Sequence, residues 1–180
     1  MVYCFLADGF EELEAIAPID MLKRAGVEVV TVGVTGKNVT GSHSITFVAD
    51  ITADEITLSD ELEAVILPGG MPGTLNLEKN ETVQSAIDFA VKKDKFVCAI
   101  CAAPSILGHK GLLKGKTATA FPGFEKDLEG AEIGEKYVCR DGKFITARGA
   151  GVAVKFGLEI VSALVSEEKS REIEKTIQSE

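Results

Sequence analysis

Short apolar runs alternate along this chain with stretches whose apolar residues recur every three to four positions. "VYCFLA" (2–7) reads as a buried strand and "GFEELEAIAPIDMLKRAG" (9–26) as a helix closed by Gly26 at its C′ position. "EVVTVGV" (28–34) is rich in β-branched residues and predicts a second strand. A turn-rich segment around Gly36–Ser44 then leads into "SITFVAD" (44–50), which predicts a short hairpin or sheet edge. "EAVILPGG" (63–70) predicts a buried strand ending in a Pro-Gly-Gly loop, "ETVQSAIDFAVKKD" (81–94) an amphipathic helix, and "KFVCAI" (95–100) another buried strand. Residues 102–110 read as a helix, with Gly111 and Gly115 marking its exit. "KTATAF" (116–121) and "KYVCRDGKFITA" (136–147) predict further strands, the latter a pair turning at Asp141–Gly142. "GVAVKFGLEIVSALVSEE" (151–168) predicts a long helix covering the sheet, and residues 169–177 a short polar one.

Strands separated by helices imply an α/β protein: a mostly parallel sheet with helices on both faces. No repeat, low-complexity tract or linker divides the 180 residues, so a single domain over 1–180 is expected. In open α/β sheets, sites form beyond the carboxyl ends of the strands. Three segments fall there: "ADGFEELE" after the first strand, "LPGG" after the fourth and "CAAP" after the fifth.

The net charge of −9 argues against nucleic acid or an anionic membrane as the main partner, because neither would be attracted. No basic-then-apolar leader is visible, and no apolar run approaches the roughly 18 residues of a membrane span, so a cytoplasmic location is expected. Four cysteines (Cys4, Cys98, Cys101, Cys139) are scattered through apolar segments, unlike a disulfide framework. Paired zinc-type spacings are missing too, and no metal or other cofactor is expected.

"FVCAICAAPSIL" (96–107) raises a choice between a CxxC pair and one reactive cysteine. A thioredoxin-type pair places its first cysteine at a helix start, whereas Cys98 falls inside the predicted strand, where alternation points it away from Cys101. Cys4, Cys98 and Cys139 read as packing, the usual fate of free cysteine. Cys101 ends the strand with Ala99 and Ala103 two residues to either side, and a strand-to-helix turn that lifts a nucleophile above a sheet needs small groups there. At the start of the next helix the dipole would favour its thiolate. The N–H of Ala102, with one from Gly69–Gly70, would face a developing oxyanion.

Glu14 supplies the second element. Helical spacing puts it on one face with Phe10, Ala17 and Met21, an apolar stripe, while Glu11 and Glu12 project elsewhere and suit the helix dipole. A carboxyl on an apolar face has its pKa raised, and a protonated Glu14 would hydrogen-bond a Cys101 thiolate and serve as general acid or base. His109 reads as a surface residue at a helix end, and His43 lies in the turn-rich segment with no position that the pattern fixes.

"ADGFEELEA", "LPGGMPG", "AICAAPSIL" and "TARGAG" occur in the order seen in the ThiJ/PfpI family, in the branch of the human parkinsonism-associated protein and its bacterial relatives, and the resemblance covers nearly the whole chain. It implies a flavodoxin-like three-layer sandwich and a homodimer. It also implies that Cys101 is the nucleophile, Glu14 its general acid/base, and Gly70 and Ala102 the oxyanion donors. Gly69 and the Arg148–Gly149 turn would then bind substrate, with His43 standing loosely where a relative carries arginine. The implied activity is that of a cofactor-independent cysteine enzyme on reactive dicarbonyls: a glyoxalase III-type lyase, or a deglycase acting on glyoxal adducts of amines and thiols. The alternative is an oxidative-stress sensor or holdase chaperone using Cys101 oxidation. A peptidase or amidotransferase is disfavoured because Phe121 stands before Pro122 where some members carry histidine. The acidic "ADGFEELE" loop also disfavours a phosphate-binding flavodoxin-like module.

Overall fold

The computed structural model describes residues 1–179. The apolar runs form the strands of one sheet: β1 (Val2–Leu6), β2 (Val29–Gly33), β5 (Ile51–Thr52), β6 (Ala64–Leu67), β7 (Phe96–Ile100), β10 (Val138–Asp141) and β11 (Phe144–Ala147). Their order across the sheet is β10-β11-β7-β6-β1-β2-β5. All neighbours run parallel except β10, which returns antiparallel on β11. Every residue of β1, β6 and β7 is buried, as parallel strands covered on both faces must be.

Side chains alternate between two apolar layers. Val2, Cys4 and Leu6 pack with Ile66, Cys98 and Ile100 against helices α1 (Glu12–Arg24), α5 (Ala153–Leu164) and α6 (Glu167–Thr176). Tyr3 and Phe5 pack with Val65, Leu67, Val97 and Ala99 against α2 (Gly73–Lys79), α3 (Glu81–Lys92) and α4 (Pro104–His109). The result is the three-layer, flavodoxin-like sandwich. Helices α1 and α5 approach closely at Gly157, where a methyl group would lie 2.8 Å from the Pro18 Cα.

The chain steps from β1 outward to β2, then crosses back to place β6 on the other side of β1. The carboxyl ends of β1 and β6 therefore diverge into a crevice at this topological switch point. Beside it, β3 (Asn38–Thr40) and β4 (Thr46–Val48) form a separate antiparallel hairpin, as the turn-rich segment predicts.

Several elements differ from the sequence reading. Helix α2 grows out of the "GGMPG" loop, where glycine and proline suggest only a turn. "KTATAF" does not join the main sheet: β8 (Thr117–Ala118) pairs only with β9 (Glu132–Ile133), because β10 occupies the edge beside β11. The β10–β11 turn centres on Gly142 and Lys143, since Asp141 still pairs with Phe144 and Gly142 takes the positive φ. The long terminal helix ends at Leu164, and Ser166 caps a new helix by accepting from the Lys169 N–H. Helix α4 is shorter than 102–110, because Pro104 opens it.

Candidate active site

Three loops meet above the switch point. The chain leaves β7 at Ile100 and turns sharply: Cys101 adopts a φ of +65°, in the left-handed region that residues other than glycine seldom occupy. Its N–H donates to the Ala147 carbonyl at 2.9 Å, and its carbonyl accepts from the Phe121 N–H at 2.8 Å. The flanking Ala99 and Ala103 are fully buried, so larger groups would not fit the turn. Cys101 itself is half-buried. The turn also breaks the strand's alternation. Cys101 packs against the same apolar layer as Cys98, not the opposite one as alternation suggests, yet both remain free thiols. Burial pushes the Cys4 thiol up to about 12 and raises Cys98 as well, consistent with packing roles. Cys139 is buried, and its thiol donates to the Lys136 carbonyl at 3.4 Å.

Glu14 lies in the first turn of α1, 1% exposed. Its Oε2 accepts from the Gly69 N–H at 3.0 Å, and its carboxyl shares a hydrogen bond with the Cys101 side chain and accepts from the Ala150 N–H. Burial pushes its pKa up to about 7; the Cys101 hydrogen bond opposes this and the Glu11 charge adds to it. Gly69 makes the approach possible, because a methyl group there would sit 2.6 Å from both Cys101 Cβ and Glu14 Oε2.

The thiol does not sit low, as a helix dipole would imply. Helix α4 has only six residues and begins three positions beyond Cys101. Burial, then the Glu14 charge and its hydrogen bond, push Cys101 up to about 12, against the Gly70 and Ala102 N–H groups that donate to its sulfur. Between those two values the pair retains one proton, shared by a carboxyl and a sulfur in contact. When that proton sits on Glu14, the opposing charge is gone and both N–H groups favour a thiolate.

Glu12, which helical spacing places off the Glu14 stripe, is buried and fastens the β3–β4 hairpin to α1. Its carboxylate accepts from the His43 backbone N–H at 2.8 Å and contacts the His43 ring Nδ1 at 2.9 Å. Burial opposes ionisation there, but the bonds from His43 prevail and hold the carboxyl below its usual range. Glu11 is the N-cap of α1, accepting from the Glu14 N–H at 2.9 Å. His43 thus belongs first to this latch; its hydrogen bond to Glu12 raises its pKa, and its ring stays exposed. Glu11, Glu12 and His43 each bring one ligand atom within 4.8 Å of the others, a closeness these hydrogen bonds explain. His109 pairs with Glu78 at 2.6 Å, at the end of α4.

On the other side of the crevice, Phe121, Pro122, Tyr137, Arg148, Gly149 and Val152 line a cleft of about 480 Å³. The Arg148 guanidinium lies 4.8 Å over the Tyr137 ring. A methyl group on Gly149 would come within 3.2 Å of the Phe121 ring. The sequence pattern holds no signal for Tyr137, 36 positions beyond Cys101 and just before the edge strand β10. The Ala150 donor was closer to view, directly after the "RG" pair.

A model of the DJ-1/PfpI family matches residues 1–163. The chain belongs to the DJ-1/PfpI family. Protein dj-1beta of Drosophila melanogaster is 34% identical over 173 residues, spanning 94% of this chain and 92% of that one. A protein of this family named as a deglycase, from Thermococcus kodakarensis, is 33% identical over 160 residues, 88% of this chain and 95% of its own. The solved structure of oxidized Toxoplasma gondii DJ-1 superposes with a TM-score of 0.93 at 30% identity, covering 98% of this chain and 97% of that one. The sandwich fold is thus that of DJ-1/PfpI proteins.

Proposed function

We propose that the protein is a cysteine enzyme acting on small reactive dicarbonyls, either converting methylglyoxal to lactate or removing early glyoxal adducts from amines and thiols. The observation that carries this reading is the contact between the buried Glu14 carboxyl and the Cys101 thiol, whose sulfur also faces the Gly70 and Ala102 N–H groups. The relative named as a deglycase supports the same chemistry.

The proton moves to Glu14 as the Cys101 sulfur attacks the aldehyde carbon, forming a C–S bond and an alkoxide. The Gly70 and Ala102 N–H groups stabilise that oxygen until it takes the proton from Glu14, giving a hemithioacetal and leaving Glu14 ionised. Glu14 then removes the proton from the former aldehyde carbon, and the resulting enediol is reprotonated on the neighbouring carbon. This internal redox step leaves a thioester, the first carbon oxidised and the second reduced. Water hydrolyses it, releasing the hydroxy acid and restoring the thiol. Only thiol, carboxyl and water take part. A deglycase would apply the same attack to the carbonyl-derived carbon of an adduct and expel the amine or thiol.

Lactate formation from methylglyoxal by the purified protein is the test. Cys101→Ser is expected to abolish it and Glu14→Gln to lower kcat by at least about 100-fold, the usual scale of general acid–base catalysis. An unchanged rate in Cys101→Ser sinks the reading. A sensor or holdase is the second reading, supported by a half-buried thiol whose N–H donors would also bind sulfinate oxygens, and by a relative solved in an oxidized form. Peroxide titration followed by mass spectrometry separates the two: oxidation confined to Cys101, without dicarbonyl turnover, favours the sensor. A peptidase draws no support, since exposed Phe121 offers no base beside the thiol.

A further inference from the structure

We infer that the cleft beside Cys101 anchors a carboxylate on the substrate through Arg148, with Phe121 and Tyr137 walling in the apolar arm that joins this carboxylate to the reacting carbonyl. The inference rests on the reading of Cys101 as the attacking thiol and narrows its substrate class to anionic carbonyl compounds.

Arg148 differs from the other arginines. The chain carries 28 acidic residues against 19 lysines and arginines, and its arginines are readily neutralised. Arg24 meets Asp20 at 2.8 Å, Arg140 meets Glu159 at 3.6 Å and Arg171 meets Glu167 at 2.7 Å. Among the described residues Arg148 meets no carboxylate, although it is half-buried; its guanidinium carbon lies over the Tyr137 ring instead. A ring contact takes none of the acceptors that a guanidinium needs, so its N–H fork is available to receive a carboxylate through two parallel hydrogen bonds.

The cleft walls are as unusual as its cation. Phe121 is 47% and Tyr137 56% exposed, the two aromatic members of the large apolar side chains left in solvent among the described residues, and both border the same cavity. A cavity of about 480 Å³ lies within the size range of small-molecule sites. Two of its lining residues are tied to the reactive pair: the Phe121 N–H donates to the Cys101 carbonyl, and the Ala150 N–H to Glu14.

Charge fixes the direction of entry. Glu11 and Glu12 lie on the α1 side of the crevice, so an anionic group is less favoured there than beside Arg148. A substrate with both groups is thereby oriented carbonyl to Cys101 and carboxylate to Arg148.

Alkylation of Cys101 tests this without requiring turnover. Second-order labelling rates are measured by mass spectrometry for iodoacetanilide and for 4-(iodoacetamido)benzoate, its carboxylated counterpart, with Cys101→Ser as the control for site. The wild-type protein is expected to favour the carboxylate by about tenfold, the equivalent of one modest charge-assisted interaction. Arg148→Gln should bring the ratio to about one, whereas Arg148→Lys keeps part of it. Because the readout is a ratio, a general change in thiol reactivity cancels. A wild-type ratio at or below one, or a preference that survives Arg148→Gln, overturns the proposal. Failure to form lactate from methylglyoxal counts against the enzyme reading and leaves this ratio unaffected.

Discussion

A cysteine with a φ of +65° and a carboxyl held near neutrality are both unfavourable by themselves, and each persists because the other groups at the crevice hold it. Left-handed backbone costs a non-glycine residue about 1–2 kcal/mol, which the hydrogen bonds to Ala147 and from Phe121 help to offset. Glu14 has a consequence for stability that can be measured. Its folded pKa of about 7 lies above the ordinary value of 4.5, so the folded protein binds this proton more tightly than the unfolded chain. The contribution is complete below about 4.5 and is lost as pH rises through about 7, a swing of about 3 kcal/mol for such a shift. Urea unfolding under reducing conditions at pH 5 and pH 8 should therefore show wild type losing about 2.5 kcal/mol more than Glu14→Gln over that interval. Equal losses would mean that Glu14 ionises normally. At this scale the sequence was informative where chemistry and spacing coincide, as at Glu14 in its apolar stripe and Cys101 between alanines. It was silent on the burial of Glu12, because one-dimensional periodicity cannot show that a hairpin from residues 38–48 folds down over that side of α1.

Elements were legible where periodicity is strong and caps are conventional. Helix α3 is an example: Asn80 precedes it and accepts from the Thr82 and Val83 N–H groups at 3.0 and 3.1 Å. Asn80→Ala is expected to cost about 1 kcal/mol, lowering Tm by about 2–4 °C in a chain of this size. Cys101 alkylation should remain at its wild-type rate, since the Asn80 side chain bonds the first turn of α3 and none of the groups at the crevice; a matching loss of thiol reactivity would contradict that separation. Helix α2 was hidden because its first turn is spelled with the residues that usually end structure. It forms anyway, since Leu77 buries completely in the layer shared with α3. The break between α5 and α6 was likewise concealed by apolar residues that run on past Leu164, while Ser166 already supplies the cap of the next helix. Strand β8 failed to join the main sheet for a reason outside its own sequence: the edge beside β11 was taken by a neighbour with a two-residue turn, which pairs more readily than a strand some twenty residues away.

For the whole molecule, the α/β alternation announces a parallel sheet, and strand ends at a switch point announce where a site lies. What the alternation cannot convey is which surfaces meet another molecule. Leu13 and Ile16 on α1 and Ile45 and Val48 at the hairpin are 60%, 41%, 57% and 64% exposed, and the Glu12–His43 latch brings these two elements together. Such a patch is the kind of surface that self-association buries. Sedimentation at tens of micromolar is expected to give a dimer, and the pair of changes Ile16→Glu and Val48→Glu a monomer; a monomeric wild type would remove the expectation. The latch and the crevice share one further property. Glu14, Gly69, Cys101 and Ala150 come from four separate stretches of chain, and the Gly69–Glu14 hydrogen bond alone spans 55 residues. None of their special properties exists before those stretches meet. In an unfolded or half-synthesised chain Glu14 is an ordinary acid and Cys101 one thiol among four. The reactivity is therefore a sign of completed folding: a newly made copy stays chemically unremarkable until its last strand, β11, and the loop beyond it are in place.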